Sequence, residues 1–238
     1  MRIAIVEDDA DYREYMKSLL QGAGYIVHAF ESSGTFVKKF RQDTFDLLLV
    51  DWNIPELTGF DLLKWVRNDC ASNVPVVLLT SRTETEDVVA GLQAGADDYI
   101  SKPVDGNVLL ARLEALSRRF YPAEGPHPIQ AFGDFSFNIP AEELHIAGAP
   151  VILTSKEFNL ALTLFSNLSR PLSRHYLLEA VWGRNPDLPT RTLDSHISKI
   201  RTKLGLRPER GFRLTPIYSY GYRLEAMPDL PSEFSDTQ

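Results

Sequence analysis

The chain has 238 residues, 44% hydrophobic and 24% charged. That is long for one ordinary domain and comfortable for two of about 100 to 120 residues, each with its own core. It holds no apolar run of about 18 residues and passes from Met1-Arg2-Ile3 straight into a strand pattern, so we expect neither membrane span nor signal peptide but a soluble, cytoplasmic protein. The net charge of −7 is uneven, with 13 Lys/Arg against 19 Asp/Glu in residues 1–119 but 11 against 4 in residues 170–223. A +7 segment inside an acidic chain suits a polyanionic partner, unless it is only a solvated face.

In chain order, Ile3–Val6 reads as a strand, Asp9–Gly22 as an amphipathic helix, Tyr25–Ala29 as a strand and Ser32–Asp43 as a helix. The apolar run Asp46–Asp51 follows as the central strand, then a helix over about Phe60–Asn68, a strand over Val74–Thr80 and a helix over Glu84–Ala94. Tyr99–Ser101 is a short strand, and Asp105–Arg119 a last helix whose Arg118-Arg119 pair suits its dipole. Repeated β-α units with short connections imply a parallel sheet covered by helices on both faces.

The strand ends carry the chemistry. Val6 leads into Glu7-Asp8-Asp9, and clustered carboxylates at a strand end are usually offset by a cation. The central strand ends in Asp51, which taken alone could be only a turn or cap residue, and the others end in Thr80 and Lys102. In one parallel sheet Glu7, Asp8, Asp51, Thr80 and Lys102 emerge at one edge, where open α/β sheets place their sites. Hard oxygen ligands with room for water suit Mg²⁺. Asp51 is then a nucleophile able to form an acyl phosphate, Lys102 a partner for the phosphoryl charge and Thr80 a hydrogen-bond donor to it. Cys70, the single cysteine, is read as structural, and His28, His127, His145, His175 and His196 lack metal-ligand spacing.

With Glu7-Asp8, Asp51, Thr80-Ser81, Tyr99 and Lys102-Pro103 in this order, residues 1–119 resemble a bacterial two-component receiver domain. The segment Asp97-Asp98-Tyr99-Ile100-Ser101-Lys102-Pro103, preceded by Gly91–Ala96, is similar to the OmpR/PhoB subfamily. The resemblance implies a flavodoxin-like, doubly wound five-stranded α/β domain that takes a phosphoryl group from a sensor histidine kinase. It also implies Mg²⁺ on Glu7, Asp8, Asp51 and the Asn53 carbonyl, with Thr80 and Tyr99 as switch residues.

Phe120–Pro128 has the proline and glycine content of a linker. From Ile129 the pattern turns to short strands through Phe132, Phe135, Phe137, Leu144, Ile146 and Val151-Ile152-Leu153. Thr154–Glu157 fits a capping box before a helix with Phe158, Ala161, Leu162, Phe165 and Leu168 on its apolar face, and a second helix, Ser173–Trp182, stops at Gly183. In a third, Thr190–Leu204, the positions Leu193, Ile197, Ile200 and Leu204 share one face. The opposite face presents Arg191, Ser195, Ser198 and Thr202, flanked by Thr192, Asp194, Lys199, Arg201 and Lys203. Such a helix can enter a DNA major groove, although an exposed helix with ordinary charges fits the same pattern. Phe212–Leu224 reads as a hairpin. Through Leu177–Gly183, Arg191–Ile197, with His196 among them, and Gly221-Tyr222-Arg223, residues 129–226 resemble the family's α+β winged helix-turn-helix effector. Residues 227–238 have the composition of a disordered tail.

The resemblance implies a homodimer through the fourth helix, fifth strand and fifth helix, where Asp97, Asp98, Arg112 and Arg119 match family positions. A usual Lys-Glu pair falls on Val88 and Val108, and a usual wing arginine on Tyr218, with Tyr220 nearby. We therefore expect an interface less sensitive to salt, or even partly independent of phosphate, and tyrosine hydroxyls toward phosphate in place of minor-groove charge. The family implies double-stranded promoter DNA and, further, RNA polymerase as partners. The competing reading is an aspartyl phosphatase of the haloacid dehalogenase kind, which needs a second Asp where this chain has Asn53.

Overall fold

Three strands with no solvent face organise the first half. The structure, a computed structural model, describes residues 1–81, 85–121, 128–183 and 190–227, with backbone only at 85–87 and 190. Five strands, β1 (Arg2–Val6), β2 (Ile26–Phe30), β3 (Leu47–Asp51), β4 (Val76–Thr80) and β5 (Asp98–Ser101), pair in parallel in the order β2-β1-β3-β4-β5. Every residue of β1, β3 and β4 is buried, as a sheet covered on both faces requires. Alternation divides them between two cores. Ile3, Ile5, Leu47, Leu49, Val77 and Leu79 meet Met16 and Leu20 of α1 (Ala10–Gly22) and Leu109 and Leu113 of α5 (Gly106–Phe120). Ala4, Val6, Leu48, Val50, Val76 and Leu78 meet Phe36 of α2 (Ser33–Phe40) and Leu62 and Leu63 of α3 (Gly59–Lys64). The remaining helix, α4, runs Thr85–Gln93.

Helix starts follow local chemistry: Asp9, Ser32, Thr58 and Asp105 each accept an amide hydrogen bond at an N-cap. Helix ends depart from the sequence pattern. α2 stops at Phe40, short of Asp43, because Asp43 serves the buried Arg2, whose Nη1 lies 2.7 Å from its Oδ1 and 2.6 Å from the Thr44 carbonyl. After Lys64 the chain widens to a π turn over Trp65–Asp69. Within it Arg67 donates to the carbonyls of Gly95, Ser72 and Val74 and to Asp97, contacts that no local periodicity encodes.

The second half opens with an antiparallel meander, β6 (Ile129–Phe132), β7 (Phe135–Asn138), β8 (Glu143–Ile146) and β9 (Ala149–Val151). Of the apolar run Val151–Leu153 only Val151 is in a strand, and Ile152 is 90% exposed. Helices α6 (Ser155–Phe165), α7 (Arg174–Trp182) and α8 (Thr190–Leu204) enclose one core with the meander and a second sheet. That sheet holds β10 (Leu172–Ser173), β11 (Phe212–Ile217) and β12 (Gly221–Ala226) in the order β10-β12-β11. The Thr154–Glu157 capping box forms, and Leu193, Ile197, Ile200 and Leu204 are all buried. Gly221 is required by close approach, since a Cβ there would overlap the Leu172 carbonyl oxygen and lie 2.9 Å from the Arg174 amide.

The chain divides into two compact units, Met1–Ala123 and Glu124–Gln238. Residues 122–127 of the expected linker and 228–238 of the expected tail lie outside the described residues. Met227, placed with the tail by composition, donates its amide to the Gly211 carbonyl at 2.8 Å. Among the described residues no helix is long and apolar enough to cross a membrane.

Candidate phosphoacceptor site and nucleic-acid interface

β1 and β3 are neighbours, yet the helices that follow them pack on opposite faces. That is the switch point of a doubly wound sheet, where a crevice opens beyond the strand ends. Glu7 and Asp8 follow β1 there and Asp51 closes β3, each offering a carboxylate oxygen within 4.8 Å of the others. Lys102, just past β5, places Nζ 2.6 Å from Glu7 Oε2 and 3.0 Å from Asp51 Oδ2. Glu7 and Asp51 are buried and Asp8 is exposed.

Burial, with the charge of Asp51 adding to it, holds the Glu7 carboxyl above the ordinary carboxylate range, although the Lys102 hydrogen bond opposes the shift. Burial pulls Lys102 the other way, but its bonds to Glu7 and Asp51 outweigh that and raise it. One ammonium therefore faces three carboxylates, and the site retains negative charge for a dication. The donor set, all carboxylate oxygen and open to solvent at Asp8, fits Mg²⁺.

Thr80 ends β4 fully buried and pairs with Ser101, Tyr99 is half-buried against the core, and Asn53 is exposed. Several supporting residues escaped the sequence reading. Arg13, in the first turns of α1, donates from Nη1 to the carbonyls of Glu7 at 2.7 Å and Asp8 at 3.0 Å, bracing the loop that carries both acids. The Ser33 hydroxyl donates to the Pro55 carbonyl at 2.8 Å and accepts from the Leu57 amide at 2.9 Å, tying the loop after Asp51 to α2. Neither contact has a signature in spacing, because Arg13 reaches back past its own helical turn and Ser33 is 22 residues from Pro55.

On the surface expected to pair subunits, Val88 is half-buried and Val108 is 47% exposed, beside Val89 at 44% and Leu92 at 47%. Asp97 accepts from Arg67 and from the Val76 amide, and Asp98 from Arg112, all within the chain. Arg119 is exposed, its guanidinium 5.4 Å from the Phe120 ring centroid.

In the second unit Arg191, Ser195, Ser198, Lys199 and Thr202 are exposed on α8, while Thr192, His196 and Arg201 are half-buried. The outward hydroxyls of Ser195 and Thr202 bond back to the carbonyls of Arg191 and Ser198. Expected on the basic shoulders, Arg201 donates to the Leu214 carbonyl at 3.1 Å and Lys203 to the Glu157 carboxylate at 2.7 Å. His196 stands edge-on to Trp182 at 5.0 Å, with Nδ1 2.8 Å from the Thr192 carbonyl. Asp194 Oδ1 accepts from the Tyr222 hydroxyl at 2.6 Å and from Arg174 at 3.3 Å, joining α8 to β12 and α7. Tyr218 is 97% exposed at the hairpin tip and Tyr220 half-buried.

An acidic switch-point crevice in a receiver-type sheet, followed by a winged helix-turn-helix, defines a DNA-binding signalling protein. The family description "Response regulator receiver domain" matches residues 3–114 and "Transcriptional regulatory protein, C terminal" residues 148–224. Transcriptional regulatory protein CseB of Streptomyces avermitilis is 36% identical over 236 residues, spanning 94% of this chain and 97% of the relative. DNA-binding response regulator MtrA of Mycolicibacterium smegmatis is 33% identical over 222 residues, spanning 93% and 96%. The chain belongs to the two-component DNA-binding response regulators of OmpR/PhoB type. In general such regulators are non-catalytic signalling proteins with a histidine kinase and DNA as partners.

Proposed function

We propose that this regulator is switched by Mg²⁺-dependent transfer of a phosphoryl group from a sensor histidine kinase to Asp51. The observation that carries the reading is the convergence of Glu7, Asp8 and Asp51 within 4.8 Å, with Lys102 bonded to two of them. An Asp51 oxygen forms the new bond to phosphorus while the bond from phosphorus to the kinase histidine nitrogen breaks. Glu7, Asp8, Asp51 and the Asn53 carbonyl would hold Mg²⁺, which supplies charge neutralisation and a seat for phosphoryl oxygens. Lys102 then turns from the carboxylates to one phosphoryl oxygen, and the Thr80 hydroxyl donates to another. Tyr99, on the neighbouring strand β5 opposite Leu78, follows the threonine as the switch.

On this reading residues 1–119 receive the signal, 120–128 link, 129–226 bind DNA and 227–238 form a tail, in the cytoplasm. Modified receivers pair through α4, β5 and α5, with Val88, Val108, Asp97, Asp98, Arg112 and Arg119 at the interface. Paired winged helices then engage two promoter half-sites, gaining affinity from effective concentration, and present a surface to RNA polymerase. Arg191, Ser195, Ser198 and Lys199 have the exposure this role needs, as has Tyr218 for phosphate, and half-buried Thr192 lies at their edge. His196, Arg201, Lys203 and Tyr220 act chiefly by orienting α8 and the wing.

The test is intact-mass spectrometry after incubation with acetyl phosphate and Mg²⁺. We expect one added phosphoryl group, lost on chelation of Mg²⁺ and in Asp51→Ala, with dimerisation by light scattering in beryllofluoride. Equal labelling of Asp51→Ala would show that the acceptor lies elsewhere.

A further inference from the structure

Lys102 has a partner besides the carboxylates. Tyr12, in the first turn of α1, has its amide fixed by Asp9 Oδ1 at 2.9 Å, and its ring centroid lies 4.5 Å from Lys102 Nζ. The same ammonium is 2.6 Å from Glu7 and 3.0 Å from Asp51, so it is bracketed by two carboxylates and one aromatic face. The Tyr12 ring is itself held in place, half-buried against the core that includes Val104, with the Tyr15 ring 6.0 Å away. Its hydroxyl is out of solvent and has no hydrogen-bond partner among the described residues, so the ring face is what it offers the lysine.

A lysine side chain is a flexible stem with a point charge, so its reach at a reaction centre depends on what surrounds it. A partly desolvated ring face beside the ammonium attracts it and narrows its positions. We propose that Tyr12 is a positioning residue for phosphoryl transfer: its ring holds the Lys102 ammonium at the acidic edge, where it meets the oxygens of the incoming group. This rests on the reading of Asp51 as phosphoacceptor. With acetyl phosphate as donor, an Asp51 oxygen bonds to phosphorus and the bond from phosphorus to the acetate oxygen breaks. Acetate leaves with the electron pair, and no proton moves. The transferred charge rests on the oxygens that Lys102 meets, so a displaced ammonium slows the step.

The experiment follows intact mass over time in the full chain with acetyl phosphate at saturating Mg²⁺, a donor that needs no docking to α1. Tyr12→Phe keeps the ring and is expected within twofold of the parent rate, while Tyr12→Leu is expected to be slower by about three- to tenfold. Should Tyr12→Leu lose its fold by circular dichroism, Tyr12→Met carries the same expectation. In a Lys102→Met background, Tyr12→Leu should change the residual rate by less than about twofold, since the two act as one unit. A Tyr12→Leu rate equal to the parent, or an undiminished effect without Lys102, overturns the role. A parent chain that is not labelled, or a labelled Asp51→Ala, overturns the Asp51 reading itself and the role of Tyr12 with it.

Discussion

Gly59, at the start of α3, should not tolerate a methyl group. A Cβ there would overlap the Asp51 carbonyl oxygen and lie 2.9 Å from the Asp51 carbonyl carbon and 3.0 Å from Trp52 Cα. All three are backbone atoms at the end of a strand held between β1 and β4, so the strand cannot yield. The start of α3 must move instead and stretch the 2.9 Å hydrogen bond from the Gly59 amide to the Trp52 carbonyl. Overpacking of this kind costs about 1–3 kcal/mol and a weakened hydrogen bond about 1 more, so Gly59→Ala should lose about 2–4 kcal/mol. At roughly 3–5 °C per kcal/mol for a domain near 120 residues, the first unit should melt about 6–20 °C lower. Thermal scans by tryptophan fluorescence suit the test, since Trp52 stacks on Phe60 at 5.5 Å and reports on this junction. Gly22→Ala is the matched control: it ends α1 with nothing within 4 Å of the new Cβ, and should melt no lower than the parent. A Gly59→Ala transition within about 2 °C of the parent would refute the close-approach argument.

Mg²⁺ should stabilise the first unit by about 1.4 kcal/mol at ten times its dissociation constant, an effect reversed by chelation and much reduced in Glu7→Gln, as thermal scans will report. Glu157 is depressed below the ordinary carboxylate range: burial opposes this, but the bonds from Lys203 and the Thr154 amide outweigh it. A carboxylate with a lower pKa folded than unfolded adds stability above its unfolded value and loses it as pH falls through the folded one, so acid unfolding of the second unit should be blunted in Lys203→Met. At neutral pH that variant should lose about 1–3 kcal/mol in urea titrations, less than a fully buried pair because the Lys203 side chain is 38% exposed. With Val89, Leu92 and Val108 exposed at the proposed dimer surface, the beryllofluoride-induced dimer constant should change less than about threefold between roughly 0.05 and 0.5 M salt in sedimentation measurements.

The architecture was largely legible in the sequence because its cues are local. Runs such as Leu47–Val50 have no polar member because both faces of their strand are covered, and helix starts announce themselves through Asp9, Ser32 and Thr154. The acids and Lys102 could be brought to one edge because parallel strands share a direction. What stayed hidden depends on long side chains that leave the position their Cα assigns. A helical wheel puts Lys203 on a shoulder of α8, but its ammonium reaches a carboxylate 46 residues away. The early stop of α2 follows from Arg2, whose need for Asp43 is visible only once β1 is in place. Arg13, Ser33 and Tyr12 act on the site through a backbone carbonyl, a loop and a ring face, and composition carries no sign of these contacts.

The two-sided burial of β1, β3 and β4 also shapes how such a protein can diverge. With no position of these strands facing water, each substitution there disturbs a core, and drift is confined to the outer faces of the helices and to the loops. The acids sit at the ends of the strands that cannot change, while the outer faces of the helices, the proposed dimer surface on α4 and α5 among them, are free to change. A duplicated copy can thus acquire new partners, and be insulated from those of its parent, without altering the machinery that receives the signal.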